Sequence, residues 1–369
     1  MNKLRTTVGI LALSAGAASA GGIDRSGQSI GIIFETGNYA EFSFGSVRPD
    51  ISGTAVATLG GFSSGNMAQD YTQISGAVKF KLGENLDAAV IFDQPFGADV
   101  SYPVLAVPPA VYYAAGSVAE LNTSSITGVL KYRLPSNISL IGGLRYQTME
   151  ANATVPFVAS YDVIGDRDGG VGYLVGVSYE KPEIALRVAL TYNSSIKHTL
   201  STTESSLLTG GADVFGSTPI ETPQSVNLEF QTGVAKDTLV FGSVRWVDWS
   251  AFVIDPTNYP AGDPLVSYDS DTTNFTLGVG RRFNENWAAA LTLGYEKPTG
   301  GSSSNLGPTD GRRSITLGAT YTKDKMKISA GVSYVQIGDT YTELPTANPA
   351  ANFVDNTAIG IGVKVGFSF

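Results

Sequence analysis

From about residue 39 to Phe369, apolar and polar side chains alternate in segments of about ten to sixteen residues. This is the period-2 signature of strands whose two faces meet different surroundings. Over 72–82, Ile74, Val78, Phe80 and Leu82 share one face with Gly76, while Gln73, Ser75, Ala77, Lys79 and Lys81 share the other. The same alternation runs over 287–295 (Trp287, Ala289, Leu291, Leu293, Tyr295) and over 326–334 (Met326, Ile328, Ala330, Val332, Tyr334). The pattern predicts fourteen strands, at about 39–50, 70–82, 86–100, 118–134, 138–150, 170–181, 184–199, 223–234, 238–250, 271–283, 286–298, 311–323, 326–338 and 356–369.

The connections between these strands fall into two alternating classes. Short turns sit at 83–85, 135–137, 182–183, 235–237 and around 284–285 and 324–325; long loops span about 51–69, 101–117, 151–169, 200–222, 251–270, 299–310 and 339–355. With both ends of the chain on the short-turn side, this describes an all-β, 14-stranded antiparallel up-and-down barrel whose rims face different compartments, as in outer-membrane barrels. The competing fold, a soluble sandwich, turns its apolar faces inward and fills two packed sheets with large side chains. Here the polar face is mostly Ser, Thr and Gly. The apolar face carries aromatics near strand ends (Tyr132, Tyr146, Tyr179, Tyr192, Trp246, Trp287, Tyr295, Tyr321), as a wall facing lipid does. The last strand is the clearest: Ile359, Ile361, Val363, Val365, Phe367 and Phe369 form an unbroken alternate row. An edge this apolar aggregates in water unless it closes a barrel in lipid. A terminal strand ending in Phe369 also looks like the signal read by the bacterial barrel-assembly machinery.

Composition narrows the function. There are 43 glycines in 369 residues and only 15% charged residues, against ~7% and ~25% in soluble proteins. No Cys is present, which removes disulfides, zinc thiolates, iron–sulfur clusters and thiol catalysis. The net charge of −9 argues against a nucleic-acid partner. Lys3 and Arg5 precede an apolar run over 8–17 and then Ala18-Ser19-Ala20, a secretory signal over 1–20 whose removal takes the charge to −11. The single histidine, His198, has no nucleophile motif to activate, so no enzyme and no cofactor or metal is expected.

Two features of the residues point to transport. A fourteen-stranded barrel is wide enough to leak and needs an inner occlusion. The apolar stretch Ile30, Ile32, Ile33 and Phe34, flanked by Gly27, Gly31 and Gly37, is the candidate, the alternatives being a periplasmic lead-in or an extension of the first strand. Pro95 lacks an N–H and is followed by Gly97, so strand three is expected to bend or bulge there, or to end. The loops around 101–117 and 151–169 carry apolar side chains with little charge: Val104, Leu105, Val107, Tyr112, Tyr113, Phe157, Val158 and Tyr161. They read either as a groove for a hydrophobic ligand or as loops packed on one another or against lipopolysaccharide.

Several stretches together resemble the FadL/TodX family of outer-membrane transporters for long-chain fatty acids and other hydrophobic compounds. They are Gly170-Val171-Gly172-Tyr173 through Tyr179-Glu180-Lys181-Pro182, then Arg187 to Ser194, Pro223 through Trp246-Val247-Asp248-Trp249-Ser250, and Asp93-Gln94-Pro95-Phe96-Gly97. The resemblance implies a multi-pass barrel, monomeric, in the outer membrane of a Gram-negative bacterium. It implies passive uptake of a hydrophobic compound, with 21–37 as a short hatch and 38–369 as the barrel. It further implies a side window framed by Gln94, Pro95, Phe96 and Gly97. A fatty-acid carboxylate would then meet Arg145, Arg187 or Arg245, unless neighbouring Asp or Glu satisfy them. The family's Asn-Pro-Ala hatch segment is absent from residues 21–37. The competing functions are a general aqueous porin and a structural or receptor barrel without transport.

Overall fold

The computed structural model describes residues 23–105 and 111–369; the signal segment and Val107 lie outside the described residues. Fourteen strands form the wall. They are β1 (Tyr39–Asp50), β2 (Tyr71–Lys81), β3 (Leu86–Asp93 and Gly97–Ser101), β4 (Val118–Arg133), β5 (Ile138–Val155), β6 (Tyr161–Lys181) and β7 (Leu186–Asn193 and Ile196–Ser205). The others are β8 (Val214–Thr222 and Ser225–Ala235), β9 (Thr238–Val247), β10 (Thr272–Arg282), β11 (Trp287–Glu296), β12 (Arg312–Lys323), β13 (Met326–Ile337) and β14 (Thr357–Ser368). Neighbours pair antiparallel, and β14 pairs with β1 from Tyr39↔Ser368 to Asp50↔Thr357, closing the sheet on itself. Closure removes the edges that would otherwise expose unpaired backbone groups.

The alternation sorts the faces as a bilayer requires. Ile359, Ile361, Val363 and Phe367 of β14, Phe42 and Phe44 of β1, and Leu277 and Val279 of β10 are all exposed on the outer face. Tyr132, Tyr179 and Trp287 are exposed beside the short turns, and Tyr146, Tyr173, Tyr295 and Tyr334 further along the same strands, two aromatic levels bounding an apolar band. Inside stand Ser43, Ser75, Ser243, Thr276, Ser329 and Ser333, several hydrogen-bonded to one another across the ladders.

The wall departs from the expected strands on the long-loop side. The expected loops 151–169 and 200–222 shrink to 156–160 and 206–213, because β5 to β8 continue well past the upper aromatic level. There the alternation is inverted: Ala153, Val155, Tyr161, Val163, Leu200 and Ile220 are buried, while Asn152, Asp162, Thr199 and Glu221 face outward or lie partly exposed. Outside the bilayer the outer face meets water, so polar residues move outward and apolar ones turn in. Three strands are also interrupted, β3 at 94–96, β7 at 194–195 and β8 at 223–224, and the β5–β6 ladder shifts register between Met149 and Ala151. Each break moves the inward face from one alternate set to the other, as from Asn193 to Ile196.

Loops cover this end of the barrel. The segments Gly53–Ala55, Ser302–Ser303, Thr340–Leu344 and Ala347–Phe353 form a small four-stranded sheet over it. Phe353, Met67, Tyr102 and Tyr112 fill the space beneath. From Ile23, near the same end, the described chain runs down inside the barrel to β1, as the contacts below show.

Candidate functional site

Four layers stack through the lumen. Uppermost is an apolar cavity that opens in part to solvent. Leu121, Ala153, Val163, Leu200, Ile220 and Phe252 line it, and among the described residues no Lys, Arg or His does. Its one carboxylate, Glu120, is exposed. A space with this lining suits a small hydrophobic molecule. Ile23 and Ala98 are shared with a second cavity whose lining includes Arg25, Tyr71 and Asp99.

Below lies a polar layer built by the N-terminal segment and the wall. Arg145 Nε donates to Thr127 Oγ1 at 2.9 Å and its Nη1 to Asn193 Oδ1 at 3.4 Å. Ser225 Oγ donates to Gln28 Oε1 at 3.0 Å. Arg245 Nε donates to Asp24 Oδ2 at 2.6 Å and its Nη1 to Asn227 Oδ1 at 2.8 Å. Arg145 and Arg245, the expected carboxylate partners, are thus occupied internally. Their hydrogen-bonding groups face side chains of the wall and of the N-terminal segment.

The third layer is apolar. The 3₁₀ turn Gly31–Phe34 sits within the barrel, where Ile30, Ile32, Ile33 and Phe34 pack against Ala89, Ile91, Val129, Ile141, Leu174 and Ala189 of five strands. Arg187 Cζ stands 4.5 Å and Lys131 Nζ 4.8 Å from the centroid of the Phe34 ring. Arg187 therefore lies deep on the short-turn side, far from the apolar cavity. Ion pairs floor this end: Lys79–Asp87 at 2.8 Å, Lys131–Glu180 at 3.1 Å and Lys327–Glu35 at 3.0 Å. A polar cavity lined by Glu41, Gln73, Asp93, Arg187, Glu229 and Lys364 among others adjoins the segment from Ser26 to Glu35.

The break in β3 is where the N-terminal segment meets the wall. β2 pairs with β3 only from Gly76↔Phe92 downward; above that, β3 pairs with β4 on one side, and residues 67–69 ahead of β2 hold its upper part, Gln69 N donating to Asp99 O at 3.0 Å and Ser101 N to Met67 O at 2.8 Å. Gln94 bridges the gap, its Oε1 accepting from Ile74 N at 2.9 Å and its carbonyl from Gln73 Nε2 at 3.2 Å. Phe96 is held by Thr123 Oγ1, which accepts from its N–H at 2.9 Å and donates to its carbonyl at 2.7 Å. Residues 23–25 add to β3 as a short strand: Arg25 N donates to Pro95 O at 2.8 Å and Gly97 N to Ile23 O at 2.9 Å. Pro95 has no N–H to give to this pairing and takes part through its carbonyl alone. The Arg25 guanidinium pairs with Asp99, lies 4.1 Å over the Tyr71 ring, and occupies the place where any side chain at Gly97 would point. A Cβ there would stand 2.5 Å from Arg25 Cζ, so a side chain at this position would push the guanidinium from its place.

The loop residues expected to form an open groove are mostly turned inward. Val104 and Leu105 are exposed, but Tyr112 is buried between Tyr102 and Tyr113, at 5.5 and 4.4 Å between ring centroids. Phe157 packs edge-on against Tyr113, and Val158 packs against the lumenal cluster. Tyr161 is wholly buried and donates to Glu204 at 2.7 Å. Burial raises the loop phenols of Tyr102 and Tyr268 above their ordinary value. The residues missed by the sequence reading are Leu121, Ala153, Val163, Leu200, Ile220 and Arg25. The first five are visible as an alternation running in the opposite sense to that of the lipid band.

The profile of an "Outer membrane protein transport protein (OMPP1/FadL/TodX)" family matches residues 93–369. Among solved structures, a Pseudomonas aeruginosa FadL homologue aligns with a TM-score of 0.73 at 12% identity, covering 96% of this chain and 97% of that one. The Pseudomonas putida toluene transporter TodX aligns at 0.66 and 12%, covering 91% of each chain. The Ralstonia pickettii toluene transporter TbuX aligns at 0.63 and 13%, covering 96% of this chain and 97% of that one. At these identities the structural likeness speaks for the fold. A search of curated proteins by sequence found no match.

Proposed function

The chain belongs to the outer membrane transport protein family OMPP1/FadL/TodX, and from that premise we propose that it carries small neutral hydrophobic compounds from the cell exterior into the outer leaflet. It is an outer-membrane channel for hydrophobic substrates, of a transporter family rather than an enzyme family. The observation that carries the finer reading is the apolar cavity. It has no cation among its described lining, and Ala98 of the interrupted β3 stands in its wall. A carboxylate placed there would be desolvated without a partner, whereas an alkylbenzene loses nothing on leaving water. Two of the compared structures are named as toluene transporters, which agrees in ligand class.

On this reading a ligand enters beneath the loop sheet and rests in the apolar cavity. It leaves through the break framed by Gln94, Pro95, Phe96 and Gly97 when the segment carrying Arg25 shifts. Ile30, Ile32, Ile33 and Phe34 close the lumen below, so that the polar cavity is not on the route. The same reading assigns Phe369 and the apolar face of β14 to the barrel-assembly machinery, places lipopolysaccharide around the outer aromatic level, and takes one closed chain as the working unit. The test is uptake by cells in which this protein is the sole hydrophobic channel. Radiolabelled toluene should enter well above the empty-vector rate, while benzoate and oleate should not; the reverse preference would overturn the neutral-ligand assignment.

A further inference from the structure

The wall carries another irregularity, three strands away from the break in β3. β6 and β7 form a ladder from Lys181↔Leu186 to Leu174↔Asn193, and again from Gly165↔Thr202 to Asp162↔Ser205. The register is the same in both stretches, yet residues 166–173 of β6 and 194–201 of β7 form no ladder pair between them. Few bonds replace the missing rungs. Ser194 N donates to Tyr173 O at 2.9 Å, Tyr173 N to Ser194 Oγ at 2.9 Å, and Thr199 N to Asp168 Oδ2 at 2.9 Å.

Two glycines show how the strands pass one another. Gly170 and Gly172 share the inward face of β6 with Leu174. A Cβ on Gly170 would lie 2.5 Å from Ile196 Cγ2 and from the carbonyl oxygen of Lys197; one on Gly172 would lie 2.6 Å from Ile196 Cγ1. β7 therefore laps over the lumenal side of β6 like a shingle instead of lying edge to edge, and buried Ile196 covers the overlap. Glycine in a strand interior marks such close approaches. The overlap meets apolar surroundings at its two ends, while Asp166, Arg167, Lys197 and Thr199 make the upper part of its outer side polar. Gly165, Leu200 and Thr202, at its upper end, line the apolar cavity, and Val171 on its outer side is 69% exposed.

We propose that this lapped seam is a second side port for neutral hydrophobic ligands, joining the apolar cavity to the outer leaflet between β6 and β7. The proposal rests on the reading that the apolar cavity holds the transported compound. Separating paired strands requires their ladder hydrogen bonds to break together, whereas here van der Waals contact of Ile196 with two glycines and three hydrogen bonds hold the overlap. A flat apolar ligand sliding from the cavity past Ile196 needs only that side chain and its strand to yield.

The chain has no Cys, so introduced pairs report alone. Asp168→Cys with Thr199→Cys bridges facing positions of the seam, and Ile74→Cys with Gln94→Cys bridges those of the β3 break. Initial uptake of radiolabelled toluene is measured for each oxidised pair, for both pairs together, and after reduction. Barrel folding is checked by heat-dependent gel migration. Each lock should cause a partial loss, both together should bring uptake to the empty-vector level, and reduction should restore it. Ile196→Ala, which needs no disulfide, should raise uptake when the β3 break is locked. Loss of all uptake with the β3 break locked, or no response to the seam lock and to Ile196→Ala, overturns the second port. If the unmodified protein takes up no more toluene than the empty vector, it is the channel reading that fails.

Discussion

At the scale of single residues, the site is governed by where charge is spent. Arg25 reaches across the break in β3 to Asp99, stacks on Tyr71 and fills the space left by Gly97. No periodicity marks it, because its partner lies 74 residues away. Arg245 is tied to Asp24 over a still longer separation of 221 residues. Such pairs are invisible in a sequence and decisive in a lumen, where an unpaired charge is costly. Replacing Arg25 with Ala leaves Asp99 unpartnered and should loosen residues 23–26 by about 2 kcal/mol, allowing for the partial exposure of Asp99. Toluene uptake by that variant should exceed that of the unmodified protein. An unchanged rate would mean that the cation does not guard the break.

At the scale of elements, much of the barrel is legible in the sequence. Fourteen strands, the strict succession of short and long connections, the apolar row ending at Phe369 and the disturbance at Pro95 all follow from alternation and from the missing N–H of proline. What escapes the pattern has one physical cause. Alternation in a barrel wall signals lipid outside and polar surroundings within, and the upper halves of β5 to β8 reverse that relation. Ala153 and Val155 face an apolar cavity while Asn152 faces outward, so these stretches resemble loops. The breaks in β7 and β8 add to this by shifting the inward face, as Ile196 after Asn193 illustrates. The turn Gly31–Phe34 is legible as an apolar stretch, but not the two cations held near its ring. Phe34→Ala removes most of a buried aromatic side chain, a change worth about 3–5 kcal/mol in a packed interior. It should let ions through the lumen, read as raised conductance in a planar bilayer. Conductance equal to that of the unmodified barrel would show that another stretch of the N-terminal segment makes the seal.

At the scale of the whole molecule, the barrel faces three solvents. Acyl chains surround the middle band, water surrounds the upper strands and loops, and the lumen divides into an apolar chamber above and a polar one below. A polar layer and an apolar one, both built on residues 23–38, stand below the apolar chamber, and the polar chamber runs beside them from Ser26 and Asp93 to Glu35. A hydrophobic compound gains by moving from the apolar chamber to the acyl chains and loses by crossing the polar layers. That difference, with no energy source required, gives the direction of the proposed route. The most direct test fills the upper chamber. Ala153→Trp places an indole into the cavity from β5, at a level beyond the lipid band. The account predicts that toluene uptake falls to the empty-vector rate while the variant still inserts and folds as a barrel. Uptake at the unmodified rate in a folded Ala153→Trp protein would contradict it.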